Sequence, residues 1–215
     1  MLATVYRRYH AALREPGFIV STCIGVLAVV AALYFNFWAI TQATARAGLG
    51  VADIILSNIP VFDVDGIFVY GTFFVAVVGV LLFLPHPKRI PFGLKTAALF
   101  IVIRSLFTLM THLGPPEAQY VTQFGETIAH SFFGADQFFS AHTGLPFLGV
   151  VALWDIDRRV ALFCLGASLF FAAVVLLGHI HYTIDVASAF FITYGIVHIA
   201  RWLFVRDWAL FSQKE

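Results

Sequence analysis

Charged side chains are scarce in this chain. They make up 12% of its 215 residues, about half of the roughly 25% typical of soluble domains. Apolar residues reach 60% and mean hydropathy is +0.90. That composition fits neither a soluble monomer nor a disordered chain. The formal net charge is +1, so no bulk field draws polyanions and no nucleic-acid partner is expected. Cysteine is nearly absent: Cys23 and Cys164 both lie in apolar runs. They supply neither a disulfide framework nor a cysteine-based zinc site. The sequence also has no His-Glu-x-x-His element, no internal repeat and no low-complexity tract. Its length allows one domain, residues 1–215.

Long apolar runs are what the chain does have. A helical membrane span needs about 20 mostly apolar residues. Six windows qualify, 17–40, 65–85, 91–113, 142–154, 159–178 and 182–204, the fourth being short and expected to begin a little before residue 142. The first is not an obvious signal peptide, because no small-residue cleavage site precedes the bulky Tyr34, Phe35, Phe37 and Trp38. The expected fold is an all-α integral membrane six-helix bundle. Lys and Arg in short loops set its orientation. Arg7, Arg8, Arg14, Lys88, Arg89, Lys95, Arg158, Arg159, Arg201, Arg206 and Lys214 all fall on one side of a six-span chain, leaving only Arg46 and Arg104 of the 13 basic residues. The expectation is both termini in the cytoplasm. Segments 41–64 and 114–141 are the two loops long enough to carry function, and both lie outside.

Ionisable groups inside a membrane are costly, so each suggests function by default. His112, His142, His179 and His181 all fall at the outer ends of spans three to six. His112, His130 and His179 are equally well read as interfacial side chains among headgroups. His181 and Asp185 are four apart and share one helix face. The carboxylate there can accept the imidazole Nδ1–H and leave Nε2 free as nucleophile or base. The plainer reading is a structural His–Asp tie. Ser140 is a candidate N-cap for the helix that follows, with His142, Thr143 and Gly144 in a first turn whose N–H groups form an anion site. Arg104 lies within span three, and Thr108, Thr111 and His112 continue from it as a polar stripe towards the outer surface. A buried arginine needs an anion or a watered cavity, and a structural pairing with Asp136 is the alternative to a ligand.

The stretch Gly134-Ala135-Asp136-Gln137-Phe138-Phe139-Ser140-Ala141-His142-Thr143 resembles the sphingomyelin synthase motif Cys-Gly-Asp-x-x-x-Ser-Gly-His-Thr. His181-Tyr182-Thr183-Ile184-Asp185-Val186 is similar to that family's His-Tyr-Thr-x-Asp-Val. Arg104-Ser105-Leu106-Phe107 and Ile59-Pro60-Val61-Phe62-Asp63 are looser echoes of two further family segments. The resemblance covers about the C-terminal half. It implies the six-helix fold of the type-2 phosphatidic acid phosphatase superfamily, with a histidine nucleophile, a phosphohistidine intermediate and neither metal nor other cofactor. By motif, His181 resembles the nucleophile, Asp185 its orienting acid and His142 the general acid. Ser140, Thr143, Gly144, Asp136, Tyr182, Arg104 and His112 are the candidate substrate contacts. The chain departs from the broader phosphatase signature. Val175 stands where that signature has an arginine, and its Lys-Arg-Pro motif is missing. Ala135 and Ala141 replace two glycines of the synthase motif.

The expected activity is therefore transfer of a phospho-head group from a phospholipid donor to a lipid hydroxyl. With water as acceptor the same histidines make a lipid phosphate phosphatase. A zinc-dependent membrane hydrolase built on the histidines, and a non-catalytic transporter using Arg104, are rival readings. The expected location is a bacterial inner membrane with the site on the extracytoplasmic face, and the oligomeric state is open.

Overall fold

The computed structural model of the chain describes residues 2–116 and 137–213. Asp136 and His130 lie outside the described residues, so the proposed Arg104–Asp136 pairing does too. The described residues form helices and turns without strands. The helices are α1 (Leu2–Leu13), α2 (Phe18–Ala45), α3 (Asp65–Phe83), α4 (Ile90–Met110), α5 (Ala141–Leu153), α6 (Arg158–Leu177), α7 (Thr183–Leu203) and α8 (Val205–Phe211).

Five segments, those of α2, α3, α4, α6 and α7, are long and apolar enough to cross a bilayer. The chain is an integral membrane protein. The expected sixth span differs. α5 has 13 residues, about 20 Å at 1.5 Å per residue, against a hydrocarbon core of about 30 Å. It begins at Ala141, a little before residue 142 as expected, and extends no further back. Phe138 takes a left-handed φ of +83°, and the Ser140 side chain caps the helix by accepting the Thr143 N–H at 3.4 Å. Both features stop a helix from extending backwards. Two short helices occupy segments that carried no apolar window. α1 lies in 1–16 and α8 in 205–215, and a hydropathy window sized for a membrane span does not register helices of 12 and 7 residues.

Packing follows residue size. α2 buries Gly25, Ala32, Ala39 and Ala43, a line of small residues that lets α4 approach closely. A Cβ at Gly25 would stand 2.9 Å from Leu94 Cβ. One apolar core joins α4, α5, α7 and α8 around Phe92, Phe100, Phe139, Leu148, Leu153, Ile196 and Phe211. A second joins α3, α6 and the start of α7 around Phe68, Val69, Phe171, Val175 and Val186.

The two ends of the bundle are chemically distinct. At one end α1, α8 and the 84–90 turn meet. Arg8 Nη1 donates to the Pro85 carbonyl at 3.0 Å, Lys88 Nζ to Glu15 at 2.7 Å, and Lys95 Nζ to Asp207 Oδ2 at 2.6 Å. The start of α6 joins this end through Arg89 and Asp157, 4.0 Å apart. At the other end the 46–64 segment, residues 111–116 and the turns before α5 and α7 knit together. Gly48 N–H donates to the His112 carbonyl at 2.8 Å, and Phe62 N–H to the Leu177 carbonyl at 2.9 Å. Arg201 Nη2 donates to the Val151 carbonyl at 2.7 Å, which holds the far end of α5 level with the basic end. The length that α5 lacks is therefore at its Ser140 end, and that end is recessed among longer helices.

Candidate functional site

The recess is where the candidate residues gather. The chain leaves α6 by a tight reversal in which the Val175 carbonyl accepts both the Ile180 N–H at 2.8 Å and the His181 N–H at 3.3 Å. His179 absorbs the turn with a left-handed φ of +50°, a strained conformation for a side chain other than glycine. Tyr182 then caps α7 in an extended conformation. The sequence placed His181 and Asp185 on one helical face. The structure joins them differently, because His181 precedes the helix and Asp185 sits in its first turn. His181 Nδ1 and Asp185 Oδ2 are 3.1 Å apart, and the same oxygen accepts the Tyr182 N–H at 3.1 Å. A carboxylate at a helix start is favoured by the exposed N–H dipoles. His181 is 2% exposed and Asp185 0%.

Three further strands of chain fix this turn. Ser140 N–H donates to the Asp185 carbonyl at 3.1 Å, which ties the start of α5 to the start of α7. Tyr182 is 1% exposed; its hydroxyl donates to the Gly114 carbonyl at 2.9 Å and accepts the Val51 N–H at 3.1 Å. Its role here is to brace two loops. Asp53 accepts the Thr183 hydroxyl at 2.6 Å and the Thr183 N–H at 2.8 Å. Burial would raise the Asp53 carboxyl, but the Thr183 hydroxyl, and the N–H groups of Leu56, Thr183 and Ile55, outweigh it and hold the carboxyl below its ordinary value.

His142 enters from the first turn of α5, half-buried. Its ring lies 4.3 Å from that of Phe68 and 6.2 Å from that of Phe171, centroid to centroid. Among the described residues, His181 and Arg104 are ionisable neighbours close enough to bear on it electrostatically. Arg104 is buried in α4, six residues before its last residue, Met110. Its Nε donates to the Phe139 carbonyl at 3.1 Å and its Nη1 to Asn36 Oδ1 at 3.3 Å. Ser105 Oγ donates to the same Asn36 oxygen at 3.1 Å. No family model, curated protein or solved structure matches the chain.

The structure thus brings together His142, His181, Asp185 and Arg104, and it places several other candidates elsewhere. Gly144 is buried, and its N–H is taken by the Ser140 carbonyl at 2.9 Å. A Cβ there would stand 2.8 Å from Phe100 and 2.9 Å from Thr193 Oγ1, so its smallness serves helix packing. The Thr143 N–H is taken by the cap, and Ser168 donates to the Thr143 carbonyl at 2.8 Å. The expected anion site at 142–144 therefore loses two of its donors to the fold. The polar stripe from Arg104 is also interrupted. α4 stops at Met110, Thr111 turns to donate to the Gln137 carbonyl at 3.1 Å, and His112 is an exposed loop residue beyond the helix. His179 is buried, 3% exposed, with its Nε2 hydrogen-bonded to none of the described residues, so it is not a headgroup-facing histidine. Asn36 and Asp53 were not among the sequence candidates. An amide amid Tyr34, Phe35, Phe37 and Trp38 is itself a signal for Asn36, whereas Asp53 sits in a polar loop that gives none. Among the described residues, no three His, Cys, Asp or Glu side chains are grouped as metal ligands.

Proposed function

We propose that the chain is a membrane lipid phosphotransferase, moving a phospho-head group from a phospholipid to a lipid hydroxyl through a phosphohistidine on His181. The observation that carries this reading is the buried His181–Asp185 pair, 3.1 Å apart at a helix start, with His142 and Arg104 beside it. Asp185 accepts the Nδ1–H, which leaves the Nε2 lone pair to attack phosphorus. The bond from phosphorus to the lipid alcohol breaks as that oxygen takes a proton from His142. In the second half the acceptor hydroxyl gives its proton to His142 while its oxygen attacks phosphorus. The N–P bond then breaks and its electron pair returns to Nε2. Arg104 supplies fixed positive charge for the non-bridging oxygens. The similarity of both histidine segments to the sphingomyelin synthase motifs supports the same chemistry.

Val175 supports a phosphodiester over a phosphomonoester. It is fully buried among apolar side chains, so it adds no charge where the phosphatase signature has an arginine. A diester carries less charge and needs less to bind it. The basic end of the bundle is the cytoplasmic one by the positive-inside rule, which puts the recess on the extracytoplasmic side of, in this reading, a bacterial inner membrane. The test is purified protein in nanodiscs with phosphatidylethanolamine or phosphatidylcholine, with and without ceramide or diacylglycerol. A new phospholipid is expected only when acceptor is added. Rapid phosphate release from phosphatidic acid with no such product would make it a phosphatase.

A further inference from the structure

A cavity of about 590 Å³ runs between α3, α4, α5 and α6. Its upper rim holds His142, Thr72 and Phe171, and its lower end is formed by Phe83, Leu84 and Ile90. Along α3 it extends from Thr72 to Leu84, about 18 Å at 1.5 Å per residue. One leaflet of a 30 Å hydrocarbon core is about 15 Å deep. The wall is otherwise almost entirely apolar, and Thr72 spends its hydroxyl on the Phe68 carbonyl at 2.6 Å. Part of this wall, Val80, Leu84, Leu145 and Phe163, is exposed. The cavity is therefore continuous with the lipid-facing surface of the spans rather than sealed within the bundle. α3 leans on α6 through Phe68, Val69 and Phe171, and no comparable contact closes it against α4 among the described residues.

We infer that this cavity holds one hydrocarbon chain of the phospholipid donor and that its floor discriminates between chain lengths. The inference rests on the phosphotransferase reading. At this depth hydrocarbon is the available filler, since water gains no hydrogen bonds from such walls. The donor is assigned through His142, which lines the cavity. It protonates the leaving oxygen, so the leaving lipid lies on its side of phosphorus, opposite His181, and occupies the cavity first; the acceptor takes the same side in the second half, after that lipid has left. Phe83 forms the floor. Its ring lies 3.3 Å from where a Gly93 Cβ would be and 6.3 Å, centroid to centroid, from Phe211. Gly79, about midway along the α3 wall of the cavity, has nothing within 4 Å of its Cβ position, so a side chain added there starts into open space.

The experiment pairs photolabelling with a substitution. Phospholipids carrying a diazirine at mid-chain or at the chain end are photolysed in nanodiscs with His181→Ala protein, and adducts are mapped by mass spectrometry. Mid-chain labels are expected near Val75 and Ala76, and chain-end labels near Phe83 and Leu94. Labelling confined to the outer faces of the helices, or independent of the diazirine position, overturns the inference. This readout needs no turnover, so its failure is distinct from a failure of the histidine chemistry. In active protein Gly79→Phe is expected to lower turnover of long-chain donors at least tenfold relative to short-chain ones. Gly195→Phe, which also meets nothing within 4 Å but lies on α7 away from the cavity, is expected to leave that ratio unchanged. Equal ratios in the two variants would contradict a length-sensing floor.

Discussion

Asp53 and Thr183 are joined twice, through the threonine hydroxyl at 2.6 Å and its backbone N–H at 2.8 Å. The contact spans 130 residues of sequence and pins the 46–64 segment to the start of α7, two residues from His181. Because Asp53 is partly exposed, each bond counts for less than a buried one would. Asp53→Ala is expected to lower stability by about 1 kcal/mol. The carboxyl is held below its ordinary value, so its contribution is complete above that value and is lost as pH falls through the folded one. Thermal unfolding of both proteins across this range checks the sign. The gap between them should close on acidification, and a gap that stays constant would mean that Asp53 acts without its charge.

The membrane architecture was legible because span length and apolarity are properties of local sequence. The windows 65–85, 159–178 and 182–204 meet α3, α6 and α7 to within two residues at either end. The first window stops short of Ala45, because Thr41, Gln42 and Thr44 dilute hydropathy without opposing a helix. The third overruns Met110, since no hydropathy value registers that Thr111 is drawn aside by the Gln137 carbonyl. In the site, the residues of the two histidine segments were legible as types. Their geometry was not, because the link of His181 to Asp185 depends on where α7 begins. Asp53 and the Tyr182–Gly114 bond depend on contacts between segments far apart in sequence, which one sequence does not encode in any local pattern.

Gly144 separates packing from ligand contact. A Cβ there meets Phe100 and Thr193 closely, and overpacking of this kind typically costs about 1–3 kcal/mol. Gly144→Ala is expected to lower the unfolding temperature and the yield of folded protein, while the folded fraction keeps a near-normal KM. A raised KM in a protein of normal stability would restore Gly144 to the substrate-binding residues.

Orientation is testable without activity. In a cysteine-free background, single cysteines replace Ala52, exposed in the 46–64 segment, and Arg14, exposed after α1. An impermeant thiol reagent on intact cells should label the Ala52 site and spare the Arg14 site. The opposite pattern would put the recess on the cytoplasmic face.

The most direct measurement is mass spectrometry of protein quenched in alkali after mixing with phospholipid donor alone. A phospho-head-group adduct is expected on His181 and nowhere else. It should be missing from His181→Ala, and Asp185→Asn should form it about 10²–10⁴-fold more slowly. An adduct on another residue, or a His181→Ala variant with near-normal turnover, would contradict the assignment of His181 as nucleophile.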